Sequence, residues 1–167
     1  MENDGFIYGL DLFKFGGKEL GYISEDGLEW GGDKPEKVKI NAAQVKGGPV
    51  KVITKGNGTN VITFKLIQLL GQNCEDVMGG EVDDKGTYTP PLRVENLEGA
   101  ADIKCDSGHT IRIFRGNLST KISGKISGGE VLGIDCELEV LQPADGSAAY
   151  KIFSPGVDPD AVETPEN

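Results

Sequence analysis

Residues 132–140 constrain the fold more than any other stretch of this chain. Leu132, Ile134, Cys136, Leu138 and Val140 alternate with Gly133, Asp135, Glu137 and Glu139. Successive side chains of a strand point to opposite faces, so this segment carries one apolar face and one acidic face. A chain built around such a strand buries one side of a sheet and leaves the other wet. No long run repeats its apolar residues at the helical period of 3.6. That excludes a doubly wound α/β fold and a helical bundle.

The rest of the chain reads as short alternating runs between Gly, Asn and Asp turns, the pattern of a β-sandwich or compact barrel. Strands are predicted over 6–15, 19–24 and 28–30, the last two flanking the turn at Asp26-Gly27. The run 36–45 alternates Val38, Ile40 and Ala42 against Lys37, Lys39 and Asn41. Runs 50–55 and 61–70 flank Gly56-Asn57-Gly58-Thr59, which predicts a hairpin between them. Residues 73–78 are the best short-helix candidate, with a simple turn as the alternative. Asn73 is placed as its N-cap, Glu75 and Asp76 in the first turn, and Gly79-Gly80 as its stop.

Pro90-Pro91 exclude a central strand around them, so 81–91 reads as a mobile loop leading into an edge segment. Strands follow at 110–115 and 149–153. The repeat Lys121-Ile122-Ser123-Gly124, Lys125-Ile126-Ser127-Gly128 puts Ile122 and Ile126 on one face at period 2. With 25 glycines in 167 residues, about twice the usual ~7%, many turns are expected. The length predicts one domain, 1–153. Residues 154–167 carry three prolines, four acids and no base, and read as a disordered acidic tail.

Composition excludes several functions. No apolar run approaches the roughly 18 residues of a membrane span, and the acidic N-terminus is unlike a signal peptide. A net charge of -10 argues against a general nucleic-acid binder. Cys74, Cys105 and Cys136 are odd in number and scattered, which fits free thiols in a reducing compartment rather than disulfides or zinc. Cys136 is expected in the core. His109 is the only histidine; with no recognisable nucleophile setting it reads as a half-exposed strand residue rather than a general base. Gly16-Gly17-Lys18-Glu19 departs from the phosphate-binding loop pattern, and Asp83-Asp84-Lys85-Gly86 from a calcium loop. Asp135, Glu137 and Glu139 repeat at about 6.5–7 Å, close to an inverting glycosidase spacing. They lack sugar-stacking aromatics beside them and read as a solvated acidic face.

Charge is distributed unevenly. Residues 1–32 net -5 and residues 128–167 net -8, whereas residues 33–55 net +4 through Lys34, Lys37, Lys39, Lys46, Lys51 and Lys55 against Asp33 and Glu36. This basic band is either a nucleic-acid face, though no aromatic between Trp30 and Phe64 is there to stack a base, or one half of a complementary surface between copies.

Residues 17–30 (GKELGYISEDGLEW), the basic strand 36–45 and residues 61–80 (VITFKLIQLLGQNCEDVMGG) together resemble a bacteriophage tail tube protein, the major tail protein of long-tailed phages. The likeness lies in the order of parts over the first half of the chain: a strand into the Tyr22–Gly27 turn, a charged strand, then a long strand running into a short helix and a Gly pair. Gln68 departs from the pattern, where an acidic residue is common. The resemblance implies an all-β sandwich or barrel with one flanking helix, shared with the type VI secretion tube. It implies hexameric rings stacked around a channel for the genome, without catalysis or cofactor. The partners implied are further copies, other tail proteins and DNA that passes without specific binding. The place implied is the virion tail, assembled in the host bacterial cytoplasm. By that analogy Asp135, Glu137 and Glu139 are candidates for the lumen face, where like charge keeps DNA from sticking. Lys34, Lys37, Lys39, Lys46 and Lys51 are candidates for the subunit interface. The competing readings are a monomeric ligand- or carbohydrate-binding β-sandwich and a hydrolase using the carboxylate strand.

Overall fold

The structure, a computed structural model, describes residues 3–161. It is mostly β-sheet with a single short helix. In chain order the elements are β1 (Leu10–Phe15), β2 (Lys18–Glu19), β3 (Glu29–Gly31), β4 (Glu36–Ile40), β5 (Lys51–Lys55), β6 (Val61–Leu66), α1 (Gly71–Met78), β7 (Glu81–Val82), β8 (Tyr88–Thr89), β9 (Leu97–Cys105), β10 (Thr110–Ser123), β11 (Gly133–Val140) and β12 (Tyr150–Phe153).

The main sheet runs β2-β1-β9-β10-β11-β6-β3, with every pairing antiparallel. At 14 residues, β10 is its spine. One side pairs with β9; on the other, Thr110–Ile113 pair with β12 and Gly116–Ser123 with β11. The register shifts between Ile113 and Gly116, where the strand bends. Gly116 makes room there for Leu138, whose Cδ1 would lie 2.7 Å from a Cβ at this position.

The two ends of this sheet are joined. After the Gly16-Gly17 turn, the Leu20 N–H donates to the Phe13 carbonyl of β1 at 3.0 Å. Three residues on, the chain has crossed to β6: the Ser24 N–H donates to the Lys65 carbonyl at 2.9 Å and the Ile67 N–H to the Tyr22 carbonyl at 2.8 Å. β3 continues that pairing along β6. The hydrogen-bonded cycle of strands thus closes as a barrel, which leaves no long open edge on its main wall. Gly21 marks the crossing. A Cβ there would meet Asn73 Nδ2 at 2.5 Å and Gln68 Oε1 at 2.6 Å. The Gln68 Oε1 accepts the Tyr22 N–H, and the Asn73 amide donates to the Gln68 carbonyl, both at 3.1 Å.

The inward side chains form one core, centred on Phe13, Ile62, Leu66, Ile113, Ile134 and Leu138, none more than 2% exposed. Phe13 and Phe64 meet across it with ring centroids 4.6 Å apart. α1 closes one end, contributing Cys74 and Val77 to the core, and Thr120 of β10 donates its hydroxyl to the Val77 carbonyl at 2.9 Å.

Several sequence expectations are corrected. The hairpin partner of β5 is β4, not β6. Asn57-Gly58 makes no turn: the chain runs on from β5 to β6 beside the segment that joins β3 to β4, with the Thr59 N–H bonded to the Asp33 carbonyl at 2.9 Å. α1 begins two residues early; Leu70 occupies the N-cap without a side-chain bond, and Asn73 lies buried inside the first turn at the barrel seam. Gly79, at φ 74°, does end the helix. Residues 81–91 hold the small hairpin β7–β8, organised by Asp83, whose carboxylate accepts the Lys85 and Thr87 amides at 2.9 Å. The segment after Pro91, expected at an edge, contains β9, a strand lying between β1 and β10. The second copy of the Lys-Ile-Ser-Gly repeat lies outside the sheet, with Ile126 at 84% exposure, because β10 stops at Ser123. Within the stretch read as a disordered tail, residues 154–161 make turns, and the Asp160 carboxylate accepts from Arg112 at 2.8 Å. Residues 162–167 lie outside the described part.

Candidate assembly surfaces

The basic band is a free-standing arm. Every residue of β4 and β5 is exposed. The two strands pair over five registered positions, from Glu36↔Lys55 to Ile40↔Lys51. Lys37 and Lys39 share one face with Thr54 and Val52; Val38 and Ile40 share the other with Ile53 and Lys51. Lys34 stands at the root and Lys46 in the tip, so the structure brings all five candidate interface lysines, and Lys55, onto one projection. The root is clamped by the Asp33 N–H, which donates to Thr59 Oγ1 at 2.9 Å. Gly58, at φ +72°, permits this, since a Cβ there would lie 2.3 Å from the Asp33 carbonyl oxygen. The arm also exposes Val38, Ile40, Val45, Val50, Val52 and Ile53, each 41–50% accessible. Six lysines against two acids give it +4, while the whole chain is -10, leaving -14 for the remainder.

The candidate lumen residues point outward as expected. Asp135, Glu137 and Glu139 are exposed, while Ile134, Cys136 and Leu138 are at most 3% exposed. Their neighbours make the face less uniform than the sequence implies. Asp135 stands in register between Lys121 and Lys65; Glu137 stands between Ser119 and Thr63, with Glu29 one strand further; Glu139 stands between Asn117 and Val61. The 24–29 turn overhangs this face and shapes a groove of about 590 Å³ that holds both lysines with Asp26, Glu29, Asp135 and Glu137. Sequence reading missed Lys65 and Lys121 here because they come from two other strands. Among the described residues no cluster of His, Cys, Asp and Glu is arranged to hold a metal ion.

A second concavity went unseen in the sequence. At the barrel end opposite α1, the N-terminal segment 7–10 and the 23–30 stretch enclose a cleft of about 610 Å³. Ile23, Leu28, Trp30, Ile62, Ile103 and Ile111 make its walls, and Glu25 and Asp26 its charged rim, with no lysine or arginine lining it. Trp30 is fixed at the edge: its Nε1–H donates to Asn60 Oδ1 at 3.0 Å and its ring meets Tyr150 edge-on with centroids 5.3 Å apart. Cys105 also lines the cleft, its thiol pushed up by burial and by the neighbouring Asp106.

His109 is 5% exposed rather than half-exposed. It sits in the β9–β10 turn with Nδ1 3.0 Å from Ser107 Oγ, away from both concavities. Cys136 is in the core, where burial pushes its thiol up to about 12.

No helix among the described residues is long and apolar enough to cross a membrane. No protein-family model matches the chain, and no curated protein is similar to it in sequence.

Proposed function

We propose that this chain is a structural subunit of a phage tail tube, forming hexameric rings that stack around a channel for the genome. The observation that carries this reading is the arm. A two-stranded hairpin is marginally stable in water on its own. This one exposes six aliphatic side chains and a charge opposite in sign to the rest of the molecule. Such an element gains its stability by lying against a partner, and an acidic barrel of its own kind offers the complementary charge. A contact between two different patches of identical chains is heterologous, the kind that closes rings or extends tubes. The outward carboxylates Glu137, Glu139 and Glu29 suit a channel wall along which DNA slides without binding.

A second reading, a monomeric ligand-binding β module, draws on the apolar cleft at the barrel mouth, whose size falls within the roughly 300–1,000 Å³ of ligand pockets. Electron microscopy of concentrated protein separates the two. Stacked rings with an open channel support the tube subunit. A chain that stays monomeric at every concentration and retains a small molecule through purification supports the module and sinks the tube.

A further inference from the structure

We infer that the tip of the arm, Val45-Lys46, seats in the barrel-mouth cleft of a second copy of this chain; the inference rests on the self-assembly reading and names its acceptor. The tip has a mixed chemistry. Val45 and Val50 are 47% and 50% exposed, and Lys46 and Lys51 flank them. Ala42, Ala43, Gly47 and Gly48 keep the bend slim, and the Val45 N–H closes it on the Ala42 carbonyl at 3.1 Å. An acceptor must therefore offer apolar walls to the valines and carboxylates, without cations, to the lysines.

The two concavities differ on that requirement. The groove over β11 sets Lys65 and Lys121 among Asp26, Glu29, Asp135 and Glu137, and its apolar lining residues, Phe64 and Cys136, are buried. The barrel-mouth cleft has aliphatic walls, and its charged lining residues are Glu25 and Asp26. Two smaller hollows, of about 430 Å³ beside Asp11 and Glu19 and about 400 Å³ beside Glu95, also lack cations, but the cleft joins two carboxylates to the larger aliphatic wall, and apolar complementarity selects it. Its volume of about 610 Å³ suits a few side chains of a bend rather than the whole hairpin. The arrangement is also directional. Trp30 lines the cleft, and the arm leaves the body three residues later at Asp33. Each copy thus receives one arm beside the place where it sends out its own, and the contact repeats head to tail. The Asp135, Glu137 and Glu139 face is left uncovered by this contact.

The test uses two full-length variants. The tip variant carries Val45→Ser and Lys46→Ser, which leaves no acid to meet a basic cleft; the cleft variant carries Glu25→Lys and Asp26→Lys. All four positions are exposed, and circular dichroism checks that both variants fold. Each variant alone should stay monomeric. A mixture should stop at a one-to-one complex, because the tip variant supplies an intact cleft and the cleft variant an intact tip. Trp30, the single tryptophan, should shift its emission as the complex forms. Variants that assemble singly like the wild type overturn the inference and leave the tube reading standing. A mixture that stays monomeric also overturns it. A one-to-one complex from the mixture, with wild-type chains that grow without forming channelled rings, upholds this contact and removes the tube.

Discussion

Gln68 holds the barrel seam by accepting the Tyr22 amide through its side chain, Oε1 lying 3.1 Å from the nitrogen. The bond spans the point where the chain leaves β1 for β6, and Gly21 beside it has no room for a Cβ. The glutamine that departs from the tube-protein pattern thus has a structural task of its own. Gly21→Ala should destabilise by about 1–3 kcal/mol through crowding, and Gln68→Ala by roughly 0.5–1.5 kcal/mol through the lost acceptor. Because removing the Gln68 amide relieves part of the crowding, with Asn73 Nδ2 left in place, the double variant should cost somewhat less than the sum. Chemical denaturation of the four proteins measures this; strict additivity would mean the two residues do not meet at the seam.

The two faces of β11 predict opposite outcomes one residue apart. Leu138 is fully buried, and Leu138→Ala should cost about 2–5 kcal/mol. Glu137 is exposed, and Glu137→Ala should stay within about 0.5 kcal/mol. Denaturation midpoints that shift equally would reverse the assignment of the faces.

β11 was legible because its period-2 alternation is strict over the whole strand, and one wet face fixes its orientation without knowledge of its neighbours. β9 was not, because Gly99, Ala100 and Ala101 blur the alternation and the preceding prolines argue for an edge. The Asn57-Gly58 signal misleads, because the chain runs straight on there beside residues 31–36, with Thr59 bonded to Asp33, and the reversal that pairs β5 with β4 lies at 41–50. The lysine band was visible as charge, and its exposure as an arm was not. The cleft was invisible because its walls come from segments near residues 7–10, 23–30, 62 and 103–111. Asn73 was misplaced as a cap because its partner, the Gln68 carbonyl, belongs to the seam rather than to the helix end.

Cys136 links packing to pH. Burial raises its thiol from 9.0 to about 12. The folded chain therefore keeps a proton that the unfolded chain releases above pH 9. Its contribution to stability is whole below that pH and is lost as pH climbs from about 9 toward 12. Cys136→Ala should flatten the fall in stability over this range relative to wild type, measured by denaturation at stepped pH. In native protein at pH 8, a thiol reagent should modify half-buried Cys105 before Cys136. Rapid labelling of Cys136 without unfolding would contradict its place in the core.

The arm's charge should set the rate of assembly. Its net +4 faces a body of -14, and such complementarity acts over a distance during encounter rather than through any single ion pair. Lys37→Glu with Lys39→Glu brings the arm to zero. Both lysines are exposed on the face they share with Val52 and Thr54, so the change leaves the barrel core intact and the denaturation midpoint within about 0.5 kcal/mol of wild type. Ring or polymer formation should nevertheless slow or stop, as read by sedimentation and light scattering. Added salt should slow the wild type toward the variant's rate, since the Debye length falls from roughly 10 Å at 0.1 M to about 3 Å at 1 M. The aliphatic contacts of the arm are not screened, so the wild type should retain part of its assembly at high salt, and the two proteins should converge there. If they assemble alike at low salt, the lysines on this face contribute nothing to the approach of the subunits, and the arm's opposite charge has no part in building the assembly.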